Sequence, residues 1–339
     1  PNPHNTQPWQ VTLDGEDGMT LFCDLERRLP FTDPPNRQIA IGCGAFLALY
    51  RMALISSGHG CEIAHFPEGA PAPGALLDAR PLAHVRMVPL HEDDHGPDPL
   101  FAQITRRRTN RNVCDARVPP ADALSAIANA ATDWTSDPAQ RDALTVHAEA
   151  DPARVVHLRD LVWRAFDREM HTPGALEETY SWLRFGHDEV ARHRDGLAIK
   201  GPLIGLAKMA GMFSRANMIN PESEANKQAL QDWRRKAETA PAFMWLSTPD
   251  DAPQTRLLAG MAYARMNLAA AAQGIAMHAW SQALQEYSEV AEIYRGMRTV
   301  LGAGGRTVQM LVRVGYADPV EPAARRGVEA LFARPPRAP

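Results

Sequence analysis

Two polar strings carry residue types suited to holding a small molecule. In Pro3-His4-Asn5-Thr6-Gln7-Pro8-Trp9, an Asn and a Gln that each donate and accept hydrogen bonds sit in a loop bounded by prolines. Such alternation suits the edge of a pyrimidine-type ring, with Trp9 as a core anchor. On spacing alone the better reading of the string is a capped turn before a strand. The second string is Arg106-Arg107-Arg108-Thr109-Asn110-Arg111, followed by Arg117-Val118-Pro119-Pro120. Guanidinium groups bind a phosphate dianion through planar, charge-assisted hydrogen bonds, and a Thr hydroxyl adds one more. A solvated basic helix end is the other reading of the same run. A further basic pair, Arg325-Arg326, lies beyond Gly315-Tyr316.

Three other features promise less. His91-Glu92-Asp93-Asp94-His95 matches the zinc pattern HExxH by letter, but Pro89 and Gly96-Pro97 bracket it, so a loop is expected and no metal site. Gly302-Ala303-Gly304-Gly305 precedes a strand, the wrong order for a dinucleotide fingerprint, and reads as a flexible turn. Cys23, Cys43, Cys61 and Cys114 have neither metal nor disulfide spacing and read as reduced thiols in or near the core.

The elements that must position the two strings follow from periodicity. Residues 10–13 and 19–25 alternate around a Gly-rich turn, a hairpin signal. Residues 37–57 repeat at helical spacing and end at Gly58 and Gly60. Strand-like runs at 61–66 and 83–89 flank a Pro/Gly/Ala-rich stretch. Beyond them, a helix is expected from Pro99 to the arginine run, another over 121–131, and a strand over 143–148. Asp151-Pro152, an N-cap followed by a first-turn proline, opens a helix through Phe166, with helical pattern continuing to Arg194. Residues 243–247 read as a strand, 253–273 as an apolar helix and 309–316 as a β-branched strand. Gly44 to Gly58 overlays Gly260 to Gly274 without a gap, with Ala48 on Ala264 and Ala53 on Ala269. Each of these helices is followed by a short strand and later by Val85-Arg86-Met87-Val88 or Leu311-Val312-Arg313-Val314, so an internal duplication is expected.

Taken whole, Pro3 to Trp9 resembles the PSxxNxQPW signature of the nitroreductase family, and more closely the HNTQPW form of its Acg-like branch. The arginine run is similar to that family's RRSxRxF…PVP motif, with Arg107, Arg108, Thr109 and Arg111 in the phosphate-binding places and Val113 where the family has Phe. Arg325-Arg326 falls where the family carries a C-terminal basic pair. Arg28-Leu29-Pro30, Thr32-Asp33-Pro34, Gly42-Cys43-Gly44-Ala45 and Arg313-Val314-Gly315-Tyr316 extend the resemblance over most of the chain.

The resemblance implies an α+β, nitroreductase-like fold whose two halves form a pseudo-dimer, with mixed or antiparallel sheets flanked by helices. Residues 1–98 would be the first half and 99–339 the second, with a lid-like insertion at about 170–235 carrying Met209, Met212, Phe213 and Met218. It implies FMN held by His4, Asn5, Gln7, Arg107, Arg108, Thr109, Arg111, Arg325 and Arg326, with no protein catalytic residue, the flavin carrying the chemistry. Because 133–138 lacks the Asn-loop pattern, one FMN per chain is expected. The function implied is two-electron reduction of a small electron-poor acceptor, a nitroaromatic or quinone, with NADH or NADPH as reductant. The alternative is storage of FMN beneath a lid with little turnover. A net charge of -4 and a pI near 6.3 give no general attraction to nucleic acid or anionic membranes, and the apolar stretch 257–280 is interrupted by Arg265, Asn267 and Gln273. A monomer in the cytoplasm is expected; any export signal would lie before Pro1.

Overall fold

The structure, a computed structural model, describes residues 1–72, 74–90 and 98–332. The His91–His95 string therefore lies outside the described residues.

The chain forms β1 (Trp9–Asp14), β2 (Gly18–Cys23), α1 (Arg37–Ser56), β3 (His59–His65) and β4 (Ala83–Pro89). After a 3-10 turn at Phe101–Gln103 come α2 (Ala121–Asn129), α3 (Pro138–Ala143), β5 (Thr145–Glu149) and α4 (Pro152–Met170). The next stretch holds α5 (Pro173–Ser181), β6 (Leu183–Phe185), α6 (Gly186–His193), β7 (Leu197–Ile199), α7 (Ile204–Met209), α8 (Arg215–Met218) and α9 (Glu224–Glu238). Then follow β8 (Ala242–Thr248), α10 (Pro253–Ala272), β9 (Ala276–Ala279), α11 (Ala291–Val300) and β10 (Thr307–Gly315).

This is an α+β architecture with two antiparallel four-stranded sheets, ordered β1-β2-β4-β3 and β5-β8-β10-β9. Pairing the strands in chain order makes the two orders identical, and α1 and α10 occupy the same place, each between the second and third strand of its sheet. What differs is the link between the first two strands. It is the tight turn 15–17 in the first sheet, with Gly15 at positive φ, and the whole stretch from α4 to α9 in the second.

The second sheet is buried on both faces, and its alternation assigns them. Ala242, Met244 and Leu246 of β8 face a core shared with α2 and α10, while Phe243 and Trp245 face α4 and α11. A bulge between Val308 and Met310 resets the alternation of β10, so Val308 and Leu311 face one side and Met310, Val312 and Val314 the other. Gln309 at that bulge spends its amide on the Thr248 hydroxyl and Asp251, and its carbonyl accepts from Gln38 of α1 at 3.2 Å.

α1 is mostly buried because it lies against α10. Of the described helices it alone is long and apolar enough to cross a bilayer; in this fold that surface forms core. The crossing is reciprocal. A Cβ on Gly44 would overlap the Leu257 carbonyl, and one on Gly260 would overlap the Ile41 carbonyl. These are the same contact related by the repeat, since Gly260 and Leu257 each lie 216 positions after Gly44 and Ile41.

Two expected helices are corrected. From Pro99 to the arginine run there is only the 3-10 turn, because Thr109 bridges Met277 beside β9 and the Asn110 amide donates to the Met277 carbonyl, which draws the run out of helix. The helical pattern to Arg194 breaks after Met170, where Pro173 starts α5, and again at β6 and Gly186.

Gly260→Ala should destabilise the protein by roughly 1–3 kcal/mol or more, as overpacking against backbone does. Gly205→Ala in α7, whose Cβ would meet nothing within 4 Å, should be neutral or stabilise by about 0.5–1 kcal/mol. Urea unfolding of the two variants checks the contrast.

Candidate functional site

The loop before β1 is held in an unusual backbone. His4, Asn5 and Gln7 all have φ near +50°, at 44°, 53° and 52°. Asn tolerates this region; for His and Gln it costs of order 1 kcal/mol or more each and persists only where the surroundings enforce it. The enforcement is visible. Asn2 Oδ1 accepts from the Gln7 amide at 2.9 Å, and Arg27 donates to the Thr6 carbonyl and to Asp195, both at 2.8 Å.

The side chains of this loop have distinct uses. Asn5 donates both amide hydrogens to the carbonyls of Gly196 and Ala324, and its oxygen accepts from Arg325 at 2.6 Å. Gln7 donates to the Arg194 carbonyl and accepts from the Arg326 amide, while the Arg326 guanidinium donates to the Gln7 carbonyl. The sequence suggested a ligand for Asn5, Gln7 and Arg326. Here they tie the N-terminal loop to the β6–β7 region and to the C-terminal segment, and neither Gln7 nor Arg326 lines the cavity described next.

That cavity has two connected chambers. The inner one is lined by His4, by Gln38, Ile41 and Gly42 of α1, by Tyr263 of α10, and by Glu169, Trp233 and His278 with the segment after β9. The outer one brings together Asn5, Arg107, Arg108, Thr109, Arg111 and Arg325. Asn2, Thr109, Arg111 and Leu197 line both chambers, which therefore share a wall.

The outer chamber is a concentration of positive charge. Among the described residues Arg107, Arg108, Arg111 and Arg325 have no ion-paired carboxylate, and the two acids on this wall are used elsewhere. Asp195 pairs with Arg27 and Arg184, and Glu321 with Lys200. Burial pulls Arg107 down to about 10, with Arg325, Arg108 and Arg111 pushing the same way. Burial likewise lowers Arg111, and burial with the nearby Arg108 lowers Arg325. Four guanidiniums without a counter-ion in a partly dry chamber are a site for an anion.

The inner chamber has a more apolar wall, and its histidines are uncharged. His4 is lowered to about 4 by burial and then by Arg111, so it is uncharged at neutral pH. His278 is held well below its usual value by burial and by Arg313, whose Nε donates to its Nδ1 at 3.1 Å. Three buried polar atoms on this wall lack a protein partner: His4 Nδ1, Thr179 Oγ1 and Gln285 Oε1. Gly42 matters for shape, because a Cβ there would press on the Cβ of Asn2 at 2.9 Å.

No protein-family model matches the chain. "Putative NAD(P)H nitroreductase Rv3131" of Mycobacterium tuberculosis is 28% identical over 344 residues, covering 99% of this chain and 88% of its own length. "Putative NAD(P)H nitroreductase acg" of the same organism is 36% identical over 67 residues, 20% of each chain. The chain is a relative of these Acg-like nitroreductases. Among solved structures, the FMN-dependent nitroreductase NfnB from Mycobacterium smegmatis, in complex with NADPH, aligns at 20% identity and a TM-score of 0.41, over 68% of this chain and 96% of its own. A Bacteroides fragilis nitroreductase with bound FMN aligns at 17% and 0.41, over 68% and 97%.

In this nitroreductase relative the arginine run and the Asn loop, far apart in sequence, do meet in one cavity. Nothing in the sequence pointed to Glu169, Trp233, Tyr263, His278 or Gln285, which share no motif and come from separate elements.

Arg107→Met should raise the melting temperature of the ligand-free protein, since it removes one of four mutually repelling cations, and should abolish stabilisation by inorganic phosphate. Melting curves in phosphate and in chloride at equal ionic strength decide this. A variant that melts lower and keeps the phosphate effect would make the cluster structural.

Proposed function

We propose that the chain is an FMN-dependent NAD(P)H oxidoreductase that reduces a small electron-poor acceptor, a nitroaromatic or quinone. The observation that carries this reading is an outer chamber whose four arginines have no paired carboxylate beside an aromatic-walled inner chamber with three unpartnered polar atoms, among the described residues. The phosphate would lie among Arg107, Arg108, Thr109, Arg111 and Arg325, and the ring system in the inner chamber beside His4, Gln38 and Tyr263. When bound, FMN supplies two-electron chemistry; the protein orients it and excludes water. The relatives' designations and the matched motifs support the same reading.

One FMN per chain follows if the halves, 1–98 and 99–339, are a fused duplicate and the second Asn loop is gone. In support, the stretch 133–138 has other work. Asp137 caps α3 by accepting from the Ala139 amide, and Trp134 packs against both neighbouring cores with Arg51 over its ring. The α1–α10 contact inside one chain supports a monomer, because it is a symmetric interface already closed.

Denatured protein should release FMN at one per chain; two would end the single-site reading. Arg108→Ala should weaken FMN at least tenfold, as loss of a charge-assisted bond of roughly 1.5–3 kcal/mol requires, and leave riboflavin, which lacks the phosphate, nearly unchanged. Equal losses for both would mean that the cluster does not hold the phosphate. Anaerobic NADPH should bleach the bound flavin. A flavin that stays yellow would favour storage, which the ties from Asn5 to Gly196 and from Lys200 to Glu321 on the outer-chamber wall would support.

A further inference from the structure

Glu169 has no part in holding FMN, yet it lies on the inner-chamber wall near the C-terminus of α4, almost fully buried. Its two oxygens accept from Gln282 Nε2 at 3.4 Å and from Gln285 Nε2 at 2.7 Å. The groups facing it are Glu178 from α5, which is itself taken by Phe31 and Thr32, and Tyr287. No cation pairs with it among the described residues. A buried carboxyl with an acidic neighbour and no paired cation holds its proton tightly. Burial, followed by Glu178, raises it to about 7 against the Gln285 and Gln282 hydrogen bonds.

The other ionisable groups of the chamber do not match this. His4 and His278 are neutral, Arg111 is a fixed cation, and burial raises Tyr263 further. Asp33, also raised by burial to about 7, differs in what holds it: its oxygens cap α1 by accepting from the backbone amides of Gln38 and Ile39 at 3.1 and 2.9 Å, whereas Glu169 accepts only from side-chain amides, one of them at 3.4 Å. Gln285, which donates to Glu169, leaves its Oε1 unpartnered, and Thr179 Oγ1 is a second unpartnered atom on the same wall.

We propose that Glu169 is the proton donor to the acceptor's oxygen, in a subsite completed by Gln285 and Thr179 that takes a quinone carbonyl. This rests on the nicotinamide-driven reading above and adds a protein acid to it. The balance is simple. A hydride equivalent from the nicotinamide brings two electrons and one proton, and a quinone needs a second proton to become a hydroquinone. The carboxyl O–H bond breaks, an O–H bond forms on the quinone oxygen, the electron pair stays on the carboxylate, and water restores the proton.

The test compares FMN-loaded wild type, E169Q and E169D with a naphthoquinone and with ferricyanide, which takes electrons without protons. Wild-type quinone turnover should fall as pH rises through about 7. E169Q should lose about a hundredfold in kcat below pH 7 and become flat with pH, E169D should keep the slope, and ferricyanide reduction should be the same in all three. Melting curves of the ligand-free proteins give a second readout. The folded carboxyl binds its proton more tightly than the unfolded one, so wild type loses stability from about pH 4.5 up to about 7, and E169Q should gain on it over that window. If E169Q keeps FMN and the wild-type rate and slope, the proposal is overturned while the FMN reading stands. If wild type takes up no FMN, both fall.

Discussion

Two helix backbones touch only where both lack a Cβ, and α1 and α10 meet at Gly44 and Gly260. The approach depends on each glycine facing the other helix's carbonyl one turn earlier, so neither can change alone. With the axes fixed there, the start of α1 is fixed too. Asp33 caps it, Gln38 reaches the bulge carbonyl of Gln309 in the other sheet, and Gly42 leaves room for Asn2. These residues form one wall of the inner chamber. The site is thus built on the contact between halves, and its geometry inherits the rigidity of that contact.

The outer chamber shows the opposite energetics. Gathering guanidiniums without a paired carboxylate is unfavourable, and the strained loop of His4, Asn5 and Gln7 adds to the cost. Both are held by the same fastening. Arg325 bonds the Asn5 oxygen, Arg326 bonds Gln7, and Phe332 bridges Val11 beside the hairpin. The C-terminal segment therefore carries a cation into the chamber and clamps the loop that forms its other side. An anion arriving there would relieve repulsion among the arginines, which links ligand binding to the stability of the clamp.

Legibility in the sequence followed the range of the interaction. The hairpin, α1, α10, β8 and β10 were readable because burial imposes a period on consecutive residues. The capped start of α4 was readable from Asp151-Pro152, and Asp151 does accept from the Arg154 amide. α11 was missed, and so were β6 and β7, three-residue strands whose parallel pairing joins segments on either side of α6 and leaves no local period. The motif residues could be named because each string is contiguous. The inner wall could not, because Glu169, Trp233, Tyr263 and His278 are set side by side only by the packing of α4, α9, α10 and β9.

The asymmetry of the halves has a physical logic. A symmetric dimer would carry the same loop and the same insertion twice, once at each site. Here the link between the first two strands is three residues in one sheet and runs from α4 to α9 in the other. That longer link supplies Glu169, Thr179, Leu197 and Trp233 to the cavity. The stretch 133–138 ends in the helix cap of α3 and packs Trp134 against both cores. If the halves are a fused duplicate, fusion removes the requirement that both surfaces stay identical, which lets one half be elaborated around the cavity without the same change in the other.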